Sequence, residues 1–258
     1  MKKETWKLEE ISADLLSKDL SSRNIHIREK AEEALIKLGE ASLDSIEKII
    51  KDDSPALAKL GAISVLKEIK NKRSVEILLE ALKNTKVQVR NKACAVIGEI
   101  SSEESIPYLI DMLKLVNPDV RNSVQTALRL IGIRTVPFLL NSILEGHTRQ
   151  MQCAENIIMS MGEEVIDLLM EKTEDKNNLI KALSVELLGK LKCEKALKKI
   201  VYLLKHDRAV IVKQSCIRAL GDIGDISVRE EILRFLENES IYLRETAIEA
   251  LKKLNREK

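Results

Sequence analysis

Three histidines and four cysteines are the side chains of this sequence best suited to hold a metal or attack a substrate, and their spacing argues against either role. His26, His147 and His206 are far apart, and none is joined by a second histidine or a cysteine at the three- or four-residue spacing that puts two ligands on one helix face. Cys94, Cys153, Cys193 and Cys216 lie 59, 40 and 23 residues apart with no C-x-x-C pair, which points to reduced packing residues rather than zinc ligands or a disulfide framework. The sequence contains no phosphate-binding glycine loop, no G-x-G-x-x-G and no nucleophile elbow. No catalysis by this chain alone, no cofactor and no metal is expected. What remains is recognition chemistry, carried by a few aromatic and charged side chains whose placement depends on the elements that hold them.

Composition sets the class of those elements. The chain has 258 residues, 45% of them hydrophobic and 33% charged, which excludes a disordered segment and suits a globular protein. Only 2% are aromatic, a poor supply for a β-sandwich and an ample one for a helical core of Leu, Ile, Val and Ala. The 43 basic and 41 acidic side chains nearly cancel, so no global field draws the chain to nucleic acid or to an anionic membrane. The N-terminus MKKETWKLEEISADLL has no apolar core of a leader peptide, and no later stretch reads as a membrane span. The expectation is a cytoplasmic protein, with a monomer favoured.

The elements themselves are legible as a repeat. One anchor position recurs as Arg28, Lys59, Arg90, Arg121, Met151, Lys181, Lys213 and Arg244, at intervals of 31, 31, 31, 30, 30, 32 and 31 residues. Three residues after each anchor stands a small or slim side chain: Ala31, Ala62, Ala93, Val124, Ala154, Ser184, Cys216 and Ala247. The positions seven and ten residues after the anchor are apolar in every repeat, from Leu35 and Leu38 to Leu251 and Leu254. Offsets of three, seven and ten share one face of a helix, so the pattern predicts eight buried stripes. Gly39, Gly132, Gly162 and Gly224 fall eleven residues after their anchors, where a left-handed residue ends a helix; Gly98, Gly189 and Gly221 fall at plus eight, where close helix approach needs no side chain. A second helix follows each first one, with cores such as Val75, Leu78, Leu79, Leu82 and Val136, Leu139, Leu140, Ile143.

The anchor column could pass for a ladder of ligand-binding bases. A structural role explains it better: each stem lies on apolar surface, and its charge pairs with a carboxylate or with carbonyls at a helix end. Residues 1–20 read as an N-terminal cap helix with Leu8, Ile11, Leu15 and Leu16 as its apolar side and Trp6 as a packing residue. Residues 24–240 hold seven repeats, and 241–258 a C-terminal half repeat that closes the stack, the whole of 1–258 forming one solenoid.

The run N-P-D-V-R-x-x-V-x-x-A-L-x-x-I-G from Asn117 to Gly132, followed by Val136, Pro137, Leu139 and Leu140, resembles the short HEAT-like repeat of phycobilin lyase subunits and many scaffold proteins. The resemblance covers about residues 24 to 255 and implies an all-α, right-handed α-α superhelix of about eight two-helix units. It implies no single function, since this repeat serves scaffolds, lyase subunits, hydroxylases and DNA glycosylases. Deoxyhypusine hydroxylases resemble this architecture and carry paired His-Glu motifs, whereas His26, His147 and His206 are followed by Ile, Thr and Asp. The related glycosylases use aromatic side chains in a basic groove, and the only Trp here is in the cap.

In HEAT-like solenoids the second helices line the concave side. There the alignment puts Ile77, Tyr108, Phe138 and Asp167 in one exposed column, with Glu76, Glu80 and Asp111 toward the N-terminal side. Tyr108, Met112 and Phe138 stand in the middle, and Lys195, Lys198, Lys199, Tyr202 and Lys205 follow on a later helix. The resulting expectation is a groove that grades from acidic through apolar to basic and binds an extended or helical protein segment, with Tyr108 and Phe138 as anchors. Two other readings stay open: a lyase-type, chaperone-like subunit that needs a partner chain, and nucleic-acid binding through Lys195, Lys198, Lys199 and Tyr202.

Overall fold

The loops between repeats show why the period holds. The residue six before the anchor accepts the backbone N–H two residues on through its side chain: Ser22 from Asn24, Asn84 from Lys86, Asp175 from Asn177, Asp207 from Ala209 and Asn238 from Ser240. This turn delivers the chain to a first helix, which asparagine caps in three repeats: Asn24 accepts from His26, Asn117 from Asp119 and Asn177 from Leu179. The anchor then reaches back over the same turn. Arg28, Arg90, Arg121 and Arg244 donate through Nη1 to the carbonyls of Ser22, Asn84, Leu115 and Asn238 at 2.8, 2.8, 2.7 and 2.6 Å, six residues earlier in every case. Lys59 donates to the Ile50 carbonyl at 3.0 Å, and Lys181 meets Asp207 at 2.7 Å. Six of the eight anchors thus fasten the loops between helices.

The computed structural model describes residues 12–100, 103–115 and 117–255. Those residues form helices and turns without a strand, and they divide into two compact units, 1–135 and 136–258. The division falls inside the fourth repeat.

The first unit contains α1 (12–19), α2 (Ile25–Leu38), α3 (Leu43–Lys51), α4 (Ala56–Ile69), α5 (Lys72–Ala81), α6 (Val87–Ile100), α7 (Ile106–Met112) and α8 (Pro118–Ile131). First helices α2, α4, α6 and α8 pack side by side, and the second helices α3, α5 and α7 lie against them as the other layer. The second unit contains α9 (Val136–Leu144), α10 (Thr148–Ser160), α11 (Ile166–Lys172), α12 (Asn178–Lys190), α13 (Leu197–His206), α14 (Val210–Ile223), α15 (Arg229–Leu233) and α16 (Ile241–Leu254). Here α12, α14 and α16 pack in sequence, each against its second-helix neighbour α11, α13 or α15. The architecture is all-α and HEAT-like.

All eight small residues three after the anchor are buried. Seven of the eight at plus seven are buried too, with Leu251 on the last helix half-exposed. The plus-ten column is less uniform: Ile131, Ile223 and Leu254 are buried, the others half-buried, because they sit at the helix end. Gly39, Gly132, Gly162 and Gly224 have positive φ as their column predicts. Two residues in that column are not glycine and adopt the same hand, Lys70 and Lys192, both at φ 51°.

Some expectations change. In the cap, Trp6, Leu8 and Ile11 lie outside the described residues, and Leu15 is 61% exposed. The buried side of α1 is Ala13, Ser17 and Leu20, with Leu16 half-buried; these are one helix face three and four residues apart, and Leu15 lies off it. On α5, Ile77 is buried and Leu79 half-exposed, so Ile77 leaves the exposed column. On α13, Leu203 is buried and Val201 half-exposed. Residues Pro118–Leu144 are apolar enough to pass by composition as a membrane span. They form α8 and α9 separated by the tight turn Gly132–Thr135, and Val120, Val124, Ala127, Leu128 and Ile131 of α8 are buried in the first unit.

Candidate partner-binding surfaces

In the first unit, α7 buries Ile106, Leu109 and Ile110 and turns Tyr108 outward, where it is 58% exposed. Pro107 in the first turn fixes the start of this short helix without costing a hydrogen bond. Met112 is half-buried, and Asp111 is exposed but paired with Lys114 at 2.8 Å. Glu80 on α5 is paired with Lys83 at 2.7 Å, while Glu76 is exposed. Arg73 bridges Asp44 and Glu47 of the preceding second helix, and Lys51 also meets Glu47. Hydrogen bonds from Lys51 and Arg73 hold the Glu47 carboxyl below its ordinary range. The acidic end expected from the sequence is therefore largely neutralised within its own unit, and Glu76 is its free charge.

In the second unit, Phe138 on α9 is half-buried beside the buried Val136, Leu139, Leu140 and Ile143. On α13, Lys195 just before the helix and Lys198 in its first turn are exposed, and Tyr202 is 58% exposed. Lys199 is engaged by Glu174, whose carboxyl it holds low, and Lys205 by Glu231 at 2.6 Å with the same effect. The Tyr202 ring stands 4.6 Å from that of His206, centroid to centroid, at a 44° tilt. His206 follows Tyr202 by one helical turn, a ring pair that is legible in the i, i+4 spacing on α13. Glu174 comes from the turn after α11 and Glu231 from α15, a relation that spacing within α13 does not reveal.

The four cysteines are buried and form no disulfide. Cys94 is buried, donates to the Ser123 carbonyl at 2.7 Å, and burial pushes its thiol up to about 11. Burial pushes Cys216 up to about 12. Neither is a thiolate at neutral pH. His26 has an acid one turn on, Glu29 at 3.6 Å, and the pair is open to solvent. Among the described residues no three His, Cys, Asp or Glu side chains converge as a metal site. Two clefts of about 370 and 380 Å³ open on the first unit, one beside Ser17, Ser45 and Lys48, the other beside Lys59, Asp52 and Glu80.

Paired first and second helices with fastened loops and a repeated buried stripe define a helical-repeat protein. The segment 43–129 matches the family model for HEAT repeats. No curated protein matches the chain significantly. Among solved structures, human deoxyhypusine hydroxylase is similar at 20% identity and a TM-score of 0.38, covering 97% of this chain and 98% of that one. The Escherichia coli protein YibA is similar at 18% and 0.37, covering 99% and 97%. The CpcE–CpcF complex of phycocyanin lyase from Nostoc sp. PCC7120 is similar at 17% and 0.35, covering 95% and 94%. These likenesses transfer no activity to this chain.

Proposed function

We propose that the chain is a non-catalytic scaffold or adaptor that binds a protein segment on its second-helix surfaces. The observation that carries this reading is the exposure of the aromatic side chains. Both tyrosines of the second helices, Tyr108 on α7 and Tyr202 on α13, are 58% exposed, although aromatic residues are scarce in this chain; the third, Tyr242, lies on the first helix α16. An exposed aromatic ring contributes little to folding and is the side chain most often found at the energetic centre of a protein interface. Tyr108 is the anchor in the first unit, supported by Met112 and the free carboxylate of Glu76; in the second unit the α13 face offers Tyr202 with Lys195 and Lys198. A cytoplasmic site of action accords with the reduced cysteines. The experiment is affinity capture from the native cell with cross-linking mass spectrometry, repeated with Tyr108→Ala. Cross-links to one protein on the second helices, reduced by that substitution at unchanged thermal stability, support the reading; cross-links confined to first helices count against it.

A further inference from the structure

One helix face in the second unit carries charge that its own fold does not balance. Lys199 and Lys205 of α13 are held by Glu174 and Glu231. Lys195 and Lys198 are exposed and have no acidic partner among the described residues, and the neighbouring Glu194 is likewise exposed and bridges neither. The first turn of α13 contains no acid, and cations at that end oppose the helix dipole. Helix stability therefore does not account for these lysines. Lys198 and Tyr202, four residues apart, share one side of α13, and Lys195 stands in the turn that leads into it. Tyr202 is exposed, with His206 tilted against it at 4.6 Å.

We propose that this face docks an acidic peptide segment, its carboxylates meeting Lys195 and Lys198 and an apolar or aromatic side chain resting on the Tyr202–His206 pair. The proposal rests on the scaffold reading and names the partner chemistry for this surface. Charge complementarity selects the occupant. Basic and acidic side chains balance over residues 136–258, and Glu174 and Glu231 reach the helix from its neighbours. A continuous phosphate backbone would meet those carboxylates, whereas a peptide presents a few negative charges with apolar side chains between them and uses the two ammonium groups and the ring pair together. A nucleic acid instead needs an extended basic track.

The test uses the full chain and a short fluorescein-labelled peptide in which glutamates flank one phenylalanine, followed by fluorescence anisotropy. A lysine-for-glutamate version of the peptide and a labelled thymidine oligonucleotide are run beside it. The acidic peptide should bind and weaken with salt. Combined Lys195→Glu and Lys198→Glu should lower its affinity about tenfold or more, and Tyr202→Ala should lower it too. Lys190→Gln, on a first helix, should leave it unchanged. Charge reversal places acids where the helix dipole favours them, so lost binding cannot be ascribed to a weakened α13, and unchanged thermal melting checks this. Equal binding by the charge-reversed chain, no binding of the acidic peptide, or preference for the oligonucleotide overturns the proposal. If the peptide fails while a protein partner still cross-links at Tyr108, only the partner chemistry falls; loss of both removes the scaffold reading as well.

Discussion

Arg90 Nη1 donates to the carbonyl of Asn84 at 2.8 Å, and the same guanidinium nitrogen reaches Thr85 O at 3.0 Å. The side chain is buried, with Nη2 3.5 Å from Asp119. One repeat later Arg121 reaches Leu115 in the same way but from a half-exposed position. Removing a buried side chain loses its packing together with its hydrogen bonds, whereas water replaces much of what a half-exposed one provides. Arg90→Ala should therefore lower unfolding free energy by about 2–4 kcal/mol and Arg121→Ala by about 1, as measured by urea denaturation. Equal costs would show that burial does not govern this column.

Gly189 sets the distance between α12 and α14. A Cβ added there would lie 2.6 Å from the Cβ of Ala219 and also strike its Cα, and one added at Gly221 would lie 2.8 Å from both the Cα and Cβ of Ala250. Backbone cannot swing aside as a side-chain tip can. Alanine is normally the better helix former by about 1 kcal/mol, so the sign of the change decides the matter. Gly189→Ala should destabilise by about 2 kcal/mol or more, seen as a lower thermal midpoint. A raised midpoint would mean that the two helices are not in contact there.

Lys70 ends α4 at φ 51° and ψ 33°, donating its N–H to Leu66 at 3.2 Å. Glycine holds this place in four other repeats. The left-handed conformation costs an L-residue about 1–2 kcal/mol, partly offset by the greater unfolded-state freedom of glycine. Lys70→Gly should raise stability by about 0.5–1 kcal/mol, and a thermal melt will read it.

Asp207 joins repeats in the second unit by accepting from Lys181 at 2.7 Å and from the Ala209 N–H at 2.8 Å, with little exposure of either charged side chain. Burial alone would push its carboxyl up, but the Lys181 hydrogen bond, the Ala209 N–H and the charges of Lys181 and Lys213 outweigh it and hold the pKa below 3.8. A depressed folded-state value means stability that is complete above the unfolded pKa and lost as pH falls through the folded one. Asp207→Asn should cost about 3 kcal/mol at neutral pH and flatten the fall of the thermal midpoint below pH 4.

Periodicity made the first helices legible, because offsets of three and seven from the anchor are pure consequences of helix geometry; Ala31 through Ala247 are all buried. The unmatched details depend on neighbours. Ile77 and Leu79 lie two apart on α5, and the packing of α3, α4 and α6 against that helix decides which faces inward. Lys70 and Lys192 take glycine's conformation with no glycine to announce it. An acidic-to-basic gradient follows from side chains taken one helix at a time, whereas Arg73 with Asp44, and Lys199 with Glu174, cancel charge between elements that no single-helix pattern contains. Tyr108 was singled out correctly as an outward residue because three apolar neighbours on α7 account for its buried side.

The most direct test places a photo-cross-linking benzoylphenylalanine at Tyr108 on the second helix α7 and, separately, at Ala95, an exposed position on the first helix α6. Irradiation in native cell extract should give a discrete adduct with one protein from position 108 and none from position 95. Adducts of equal yield at both positions, or adducts at 95 alone, would contradict binding on the second-helix surface.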